Sequence, residues 1–225
     1  MILLAIDTAS ALCAACVYDS ATQKELGRAV LDLGKGHAEH LIGVVHDAMA
    51  QAGVDFARLE KIAVTVGPGS FTGVRVGVSA ARGFAMALKI PAVGVTTLEA
   101  IAAGAREAFG ARTVMAALDG SRGEIHAAVY DEGGREIAGP AAMDLPQAAR
   151  LAKQHSALLA GSVAATIAAA AAAGLQVGPT GATADIRFYA KLGAVKETGE
   201  RPKPLYLRDA DAKPQAGFVL PRIPS

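Results

Sequence analysis

The sequence predicts an α/β fold in which one arrangement of strands and helices occurs twice. Short apolar runs alternate with segments of helical periodicity, and the order of the first half restarts after about residue 108. Glycine or proline marks many of the junctions. With 225 residues, 52% of them hydrophobic, the chain can bury a core as one domain or as two small ones.

The first half opens with three apolar runs separated by polar turns, which predict strands at 2–6, 12–18 and about 25–31. The elements expected next are a helix at 37–52, a strand at 62–66, a helix at 72–89, a strand at 92–95 and a helix at 97–108. Gly53 ends the first helix and Pro91 stops the second. Ser70 or Thr72 is expected to cap helix 72–89.

The second half repeats this order in a weaker form. Its predicted elements are strands at 113–118, 124–130 and about 135–138, a helix at 146–154, a strand at 157–160, and helices at 162–173 and 183–192. Two halves of βββαβαβ order resemble the duplicated ribonuclease-H-like unit of the actin, Hsp70 and sugar-kinase (ASKHA) superfamily. We therefore expect subdomains at 1–108 and 109–200, the second one reduced, and an extended tail at 201–225.

Charge and hydropathy exclude several classes of protein. The net charge is +1, from 22 basic and 21 acidic residues, whereas a dedicated nucleic-acid surface usually brings a strong basic excess. No run of about 18 apolar residues is present, so no membrane span is expected. The start of the chain lacks a basic region and turns polar at Asp7, unlike a signal peptide. The expected location is cytoplasmic.

Cys13 and Cys16 have the C-x-x-C spacing of redox and metal motifs. They lie in a predicted strand, where residues three apart point to opposite faces. Their Cα atoms would be about 10 Å apart, beyond the roughly 7 Å that a disulfide allows. We expect two small buried residues.

A hydroxyl-bearing turn, Asp7-Thr8-Ala9-Ser10, follows the first strand. Actin-like ATPases hold phosphate and magnesium at such a turn, with a glycine that lets backbone amides approach the phosphates. In this chain the third residue of the turn is Ala9. Two interpretations stay open: a vestigial phosphate turn formed by Asp7, Thr8 and Ser10, or a turn that only connects two strands.

The string Gly67-Pro68-Gly69-Ser70-Phe71-Thr72-Gly73-Val74-Arg75-Val76-Gly77 joins a strand to a helix. Such a turn can bind an anion through amides at the helix N-terminus. It is not a Walker A loop, because the Lys-Ser/Thr pair is missing.

Helix 72–89 has an apolar and glycine arc of about 220° at 100° per residue, wider than the arc that one core contact requires. One stripe is bulky, and the other, Gly73, Gly77, Ala80, Phe84 and Ala87, is mostly small. Helix 37–52 also has a broad apolar arc. Either the two helices pack only within the chain, or one stripe admits the helix of a partner.

Several segments together resemble the TsaB (YeaZ) family, over nearly the whole chain and most densely over 1–100. Besides the glycine string, they are Ile6-Asp7-Thr8-Ala9, His37-Ala38-Glu39-His40-Leu41, Gly83-Phe84-Ala85, Val93-Gly94-Val95-Thr96-Thr97-Leu98, the hairpin Leu118-Asp119-Gly120-Ser121-Arg122-Gly123-Glu124-Ile125, and Pro204-Leu205-Tyr206-Leu207-Arg208. The chain departs from the family at Asp119-Gly120-Ser121, where relatives often have Asp-Ala-Arg before the Gly-Glu pair, so that Arg122 stands one place later. It also departs at His126, where Tyr is common. A role for Arg122 is therefore left open.

The resemblance implies a non-catalytic scaffold subunit of a tRNA-modifying complex. Such a subunit acts with a TsaD-like catalytic subunit and a TsaE-like ATPase to form N6-threonylcarbamoyladenosine at adenosine 37 of ANN-decoding tRNAs. It implies no cofactor of its own, with ATP or ADP held at the level of the complex, an indirect relation to tRNA, and self-association through the same helices as an alternative to pairing. The partner interface is then expected at His40, Leu41, Val44, Val45, Ala48, Gly73, Gly77, Ala80, Phe84 and Ala87.

Enzyme alternatives find less support in the residues. His37 and His40 lie three apart on a helix and could share a metal, but no H-E-x-x-H motif accompanies them, so a metallopeptidase and a metal site are not expected. An ATP-dependent phosphotransferase would need an intact phosphate turn and a full second half. The tail residues Arg201, Lys203, Arg208, Lys213 and Arg222 suggest at most an auxiliary, salt-sensitive tRNA contact.

Overall fold

The computed structural model describes residues 1–207, which form two mixed sheets with helices packed on them. The first sheet has the strand order β3-β2-β1-β4-β5. Its strands are β1 (Ile2–Asp7), β2 (Leu12–Asp19), β3 (Lys24–Asp32), β4 (Lys61–Thr65) and β5 (Ala92–Val95). The helices of this half are α1 (His37–Ala52), α2 (Phe71–Leu88) and α3 (Thr97–Phe109), with a short 3₁₀ turn at Phe56–Arg58.

The second sheet has the order β8-β7-β6-β9. Its strands are β6 (Val114–Asp119), β7 (Ile125–Tyr130), β8 (Glu136–Met143) and β9 (Leu158–Ala160), and the helices of this half are α4 (Leu145–Gln154), α5 (Ala164–Ala171) and α6 (Ile186–Val195). In both sheets three antiparallel strands are followed by one that pairs parallel with the first. Among the described residues, the counterpart of β5 is reduced to a single parallel bridge between Val177 and Leu159 of β9. The duplicated, actin/Hsp70-like α/β fold with a reduced second half is confirmed.

The first sheet is covered on both faces. Leu4 and Ile6 pack with Val44 of α1 and Val78 of α2 on one face. Leu3 and Ala5 point to the other face, where they pack with Tyr189 of α6. Alternation along β1 thus supplies two separate cores, as expected for a strand buried on both sides.

The place of α6 corrects the predicted boundaries. We expected residues 109–200 to form the second subdomain, but α6 packs on the first sheet. Gly193 allows this close approach, because a Cβ there would overlap that of Ala63. The buried Lys61 ammonium donates to the carbonyls of Gly193, Ala194 and Lys196 at 3.2, 3.1 and 2.9 Å, so it caps the end of α6.

The two cysteines behave as the strand geometry predicts. Both are free and buried, Cys13 in the core beneath α1 and α2 and Cys16 in the core beneath α6. Burial raises the pKa of the Cys13 thiol to about 11. Because the thiolate is the reactive form, neither the spacing nor the environment supports redox chemistry.

Within residues 1–207, no helix combines the length and the apolar character that crossing a bilayer requires. The predicted tail residues Arg208, Lys213 and Arg222 lie outside the described part of the chain.

Candidate functional site

The turn after β1 is closed by contacts within the chain. Asp7 is 1% exposed. One carboxylate oxygen accepts from the Ala9 amide at 2.9 Å, and the other accepts from the Thr183 hydroxyl at 2.7 Å. The Thr183 hydroxyl also lies 2.6 Å from the Tyr189 hydroxyl of α6. Thr183, which lies 176 positions later in the sequence, therefore donates a hydrogen bond to the carboxylate that a phosphate turn would use.

Burial governs the electrostatics of this turn. It raises the pKa of the Asp7 carboxyl above its ordinary value of 3.8, although the hydrogen bonds from Thr183 and Ala9 oppose the rise. Both oxygens of this buried carboxyl already accept hydrogen bonds from groups of the chain. The geometry favours the interpretation of residues 7–10 as a structural turn.

The glycine string packs against this turn. Cβ atoms built on Gly69 and Gly73 would overlap the carbonyl oxygens of Ala9 and Thr8, and one on Gly77 would overlap the Thr8 hydroxyl. Thr8 donates its hydroxyl to the Gly73 carbonyl at 2.7 Å. Glycine is required here because α2 lies directly on the backbone of the turn.

Two backbone amides at the N-terminus of α2 are paired within the chain. Ser70 caps the helix by accepting from the Gly73 amide at 3.2 Å, as one of the two predicted caps. The Ser70 amide itself donates to the Ala9 carbonyl at 2.7 Å. The glycine string therefore joins α2 to the turn. The Ser70 and Gly73 amides are engaged in this junction and are not free to bind an anion.

These contacts correct six of the predicted interface residues. They lie in the interior of the chain: Leu41, Val44, Val45, Ala48, Gly73 and Gly77. The helical wheel placed Gly73 and Gly77 on a small stripe but could not show that the β1–β2 turn fills it. Of the other predicted residues, His40 and Ala87 are exposed, and Ala80 and Phe84 are half-buried.

An apolar surface remains exposed on the outside of α1 and α2. Two of its large side chains, Ile42 and Met86, are 59% and 80% exposed. Small and medium-sized side chains from neighbouring helical turns lie between and beside them. We call this surface the helix-pair face and define it by Ile42, Thr72, Val76, Ser79, Ala80, Gly83, Met86 and Ala87.

A row of positive charge runs beside the helix-pair face. Arg75, Arg82 and Lys89 are spaced seven residues apart, so they follow one side of α2 and its C-cap. The helix contains no Asp or Glu. No carboxylate among residues 1–207 pairs with these three side chains. The interface predicted from the sequence did not include Ile42, Phe71 or Met86, which are exposed apolar residues.

The two helix-start histidines do not face a common site. His37 is buried, whereas His40 is exposed. In the described part of the chain, no group of three or more His, Cys, Asp or Glu side chains is arranged to hold a metal ion.

Comparison with known proteins identifies the family of the chain. The sequence model of the family described as "TsaD: tRNA N6-adenosine threonylcarbamoyltransferase" matches residues 32–189. The TsaB biosynthesis protein of Escherichia coli strain K12 is 36% identical over 137 residues, 60% of this chain and 58% of that protein. The structure of YeaZ from Pseudomonas aeruginosa superposes with a TM-score of 0.73 and 25% identity, covering 86% of this chain and 92% of that one. The chain belongs to the TsaB (YeaZ) family.

The extent of similarity varies among the relatives of the chain. The chain spans a little over half the length of the E. coli protein in their alignment. An uncharacterized protein of Mycobacterium bovis is 33% identical over 223 residues, which cover 95% of this chain and 94% of that one. The segment that matches the family model runs from before α1 into α6 and so includes α2 with the whole glycine string.

Proposed function

We propose that this chain is a non-catalytic subunit of the complex that forms N6-threonylcarbamoyladenosine at adenosine 37 of ANN-decoding tRNAs, in the cytoplasm. Family membership supports the pathway, since several relatives are named as tRNA threonylcarbamoyladenosine biosynthesis proteins. The observation that carries the subunit role is the exposed helix-pair face. A monomer that exposes Ile42 and Met86 beside a row of small residues presents the kind of apolar patch that binds other proteins.

The partner in this proposal is a TsaD-like catalytic subunit. The helix-pair face offers small residues at Ala80, Gly83 and Ala87, which let another helix approach closely, and Met86 as a flexible apolar contact. Two helices of the partner laid against α1 and α2 would cover this face in a four-helix arrangement. A second copy of the chain would use the same face, so self-association and pairing would compete.

The closed turn supports the non-catalytic part of the proposal. Asp7 accepts hydrogen bonds from Ala9 and Thr183, and the glycine string covers the turn from the side of α2. ATP or ADP in this proposal is held by the assembled complex with a TsaE-like ATPase, not by Asp7, Thr8 and Ser10. Contact with tRNA is indirect, through the catalytic subunit.

Reconstitution tests the proposal. Unmodified ANN-decoding tRNA is incubated with threonylcarbamoyl-adenylate, ATP, and the TsaD-like and TsaE-like proteins, with or without this chain, and the modified nucleoside is measured by mass spectrometry. We expect modification only when the chain is present, and no ATP hydrolysis by the chain alone. Modification of equal yield without the chain, or robust hydrolysis by the chain alone, would contradict the proposed role.

A further inference from the structure

The segment after α6 returns to the first half of the molecule. Pro202 is buried and lies near Gly94 of β5. The Leu205 amide donates to the Val66 carbonyl at 2.7 Å, just after β4, and the Leu205 side chain packs on the core beneath α1 and α2. These contacts fix the segment next to the N-terminus of α2.

Tyr206 then joins two side chains of α2 in one cluster. Its hydroxyl accepts from Arg75 Nε at 2.9 Å, and its ring centroid lies 5.9 Å from that of Phe71. The Arg75 guanidinium carbon lies 3.7 Å from the centroid of the Phe71 ring, a distance typical of a cation–π contact. The two rings nevertheless stay open to solvent, Phe71 with 58% and Tyr206 with 52% of its surface exposed.

This arrangement has the composition and the rigidity of a binding hot spot. Tyrosine and arginine are enriched among the residues that dominate interface energies. The mutual contacts hold the three side chains in place before binding, so little side-chain entropy remains to be lost. The cluster is continuous with the helix-pair face, because Arg75 lines the same groove as Ile42 and Val76.

We propose that Phe71, Arg75 and Tyr206 form part of the surface that binds the catalytic subunit, so that the C-terminal segment takes part in pairing directly. This inference depends on the proposed function. The partner surface that fits is an apolar helix with a carboxylate opposite Arg75. Charge complementarity supports that choice, because Arg75, Arg82 and Lys89 have no carboxylate partner among residues 1–207 and α2 itself carries none.

Binding of the TsaD-like subunit, measured by titration calorimetry at low and at high salt, tests the cluster. Tyr206→Ala is expected to weaken binding at least about tenfold. Arg75→Glu is expected to weaken it at least as much and to reduce its dependence on salt. Phe109→Ala is the matched control, since it removes another exposed ring, at the end of α3, and should leave the affinity unchanged.

Wild-type affinity of both Tyr206→Ala and Arg75→Glu would overturn the proposal while leaving the proposed function intact. Failure of the wild-type chain to bind at all would refute the proposed function instead. If Tyr206→Ala lowers the thermal stability, a photoreactive benzoylphenylalanine at position 206 replaces it and keeps an aromatic ring. Crosslinking to the catalytic subunit is expected, and crosslinking only to tRNA or to a second copy of the chain would overturn the proposal.

Discussion

At the scale of single residues, the buried Asp7 shows how the chain differs from a nucleotide-binding protein. Its two oxygens accept from Ala9 and Thr183, and Thr183 in turn contacts Tyr189. A buried carboxylate is costly unless it is paired with a positive charge or metal. Hydrogen bonds from neutral groups offset part of that cost, and burial still raises the pKa of the carboxyl. The Asp7 carboxyl therefore binds a proton more tightly in the folded protein than in the unfolded chain.

Replacement of Asp7 by asparagine should reveal this cost. An acid whose pKa is raised on folding contributes stability that is fully present below its unfolded pKa, near 3.8, and is lost as the pH rises through the folded pKa. Asparagine does not ionise, so a variant with asparagine at position 7 does not lose this stability as the pH rises. We expect Asp7→Asn to be at least as stable as the wild type at neutral pH, with an advantage that shrinks as the pH falls, in urea unfolding followed by circular dichroism.

Asp19→Asn is the control, because the half-buried Asp19 carboxylate accepts from the Ala21 amide and its pKa is lowered. Its contribution to stability is present at neutral pH and is lost on acidification, which is the opposite direction. If Asp7→Asn were less stable than the wild type at neutral pH and their difference did not change with pH, the burial account of Asp7 would be wrong.

At the scale of elements, the two sides of α2 are under different packing constraints. Its inner side meets the turn after β1 through Gly73 and Gly77, and its outer side contributes to the helix-pair face through Gly83 and Met86. The sequence predicted the helix, its cap and its two stripes, because these depend on residues close together in the chain. It could not show which stripe is buried, because that depends on Thr8, more than sixty positions earlier.

Two glycine-to-alanine changes separate these sides. Gly77→Ala would place a methyl group against the Thr8 hydroxyl and is expected to destabilise the fold by about 1–3 kcal/mol, because the interior is closely packed. Gly83→Ala has open space and is expected to stabilise the chain by about 1 kcal/mol, the helix-propensity difference. Chemical denaturation measures both.

The same geometry predicts different outcomes for tryptophan at the two positions, Gly77→Trp and Gly83→Trp. Because position 77 is interior, the indole would prevent native packing. Gly83→Trp is the substitution that should leave the fold intact and block the helix-pair face. Equal stabilities of Gly77→Ala and Gly83→Ala would show that the two glycines do not lie on different sides of α2.

At the scale of the whole molecule, the two halves are joined by parts of the second half that lie on the first. Helix α6 covers the first sheet, Lys61 caps its end, and residues 202–206 reach the start of α2. The repeated element order could be predicted because each half follows local periodicity. These crossings could not, since each joins residues more than a hundred positions apart and carries no local pattern.

The exposed helix-pair face is the feature that this architecture leaves without a partner. Both sheet faces of the first half are covered, by α1 and α2 on one side and by α6 on the other. Ile42 and Met86 are then unexplained by the needs of the fold. Their conversion to charged residues should have little effect on stability, because they are 59% and 80% exposed, and should interfere with any apolar contact.

The most direct test of the account is the affinity of the Ile42→Asp, Met86→Asp double variant for the TsaD-like subunit, measured by titration calorimetry. The matched control is Ile137→Asp with Val195→Asp, which changes two exposed apolar residues outside α1 and α2. We predict that the first variant keeps the thermal stability of the wild type and binds at least roughly a hundredfold more weakly, while the control binds normally. A folded Ile42→Asp, Met86→Asp variant that binds with wild-type affinity would contradict the assignment of the helix-pair face as the partner surface.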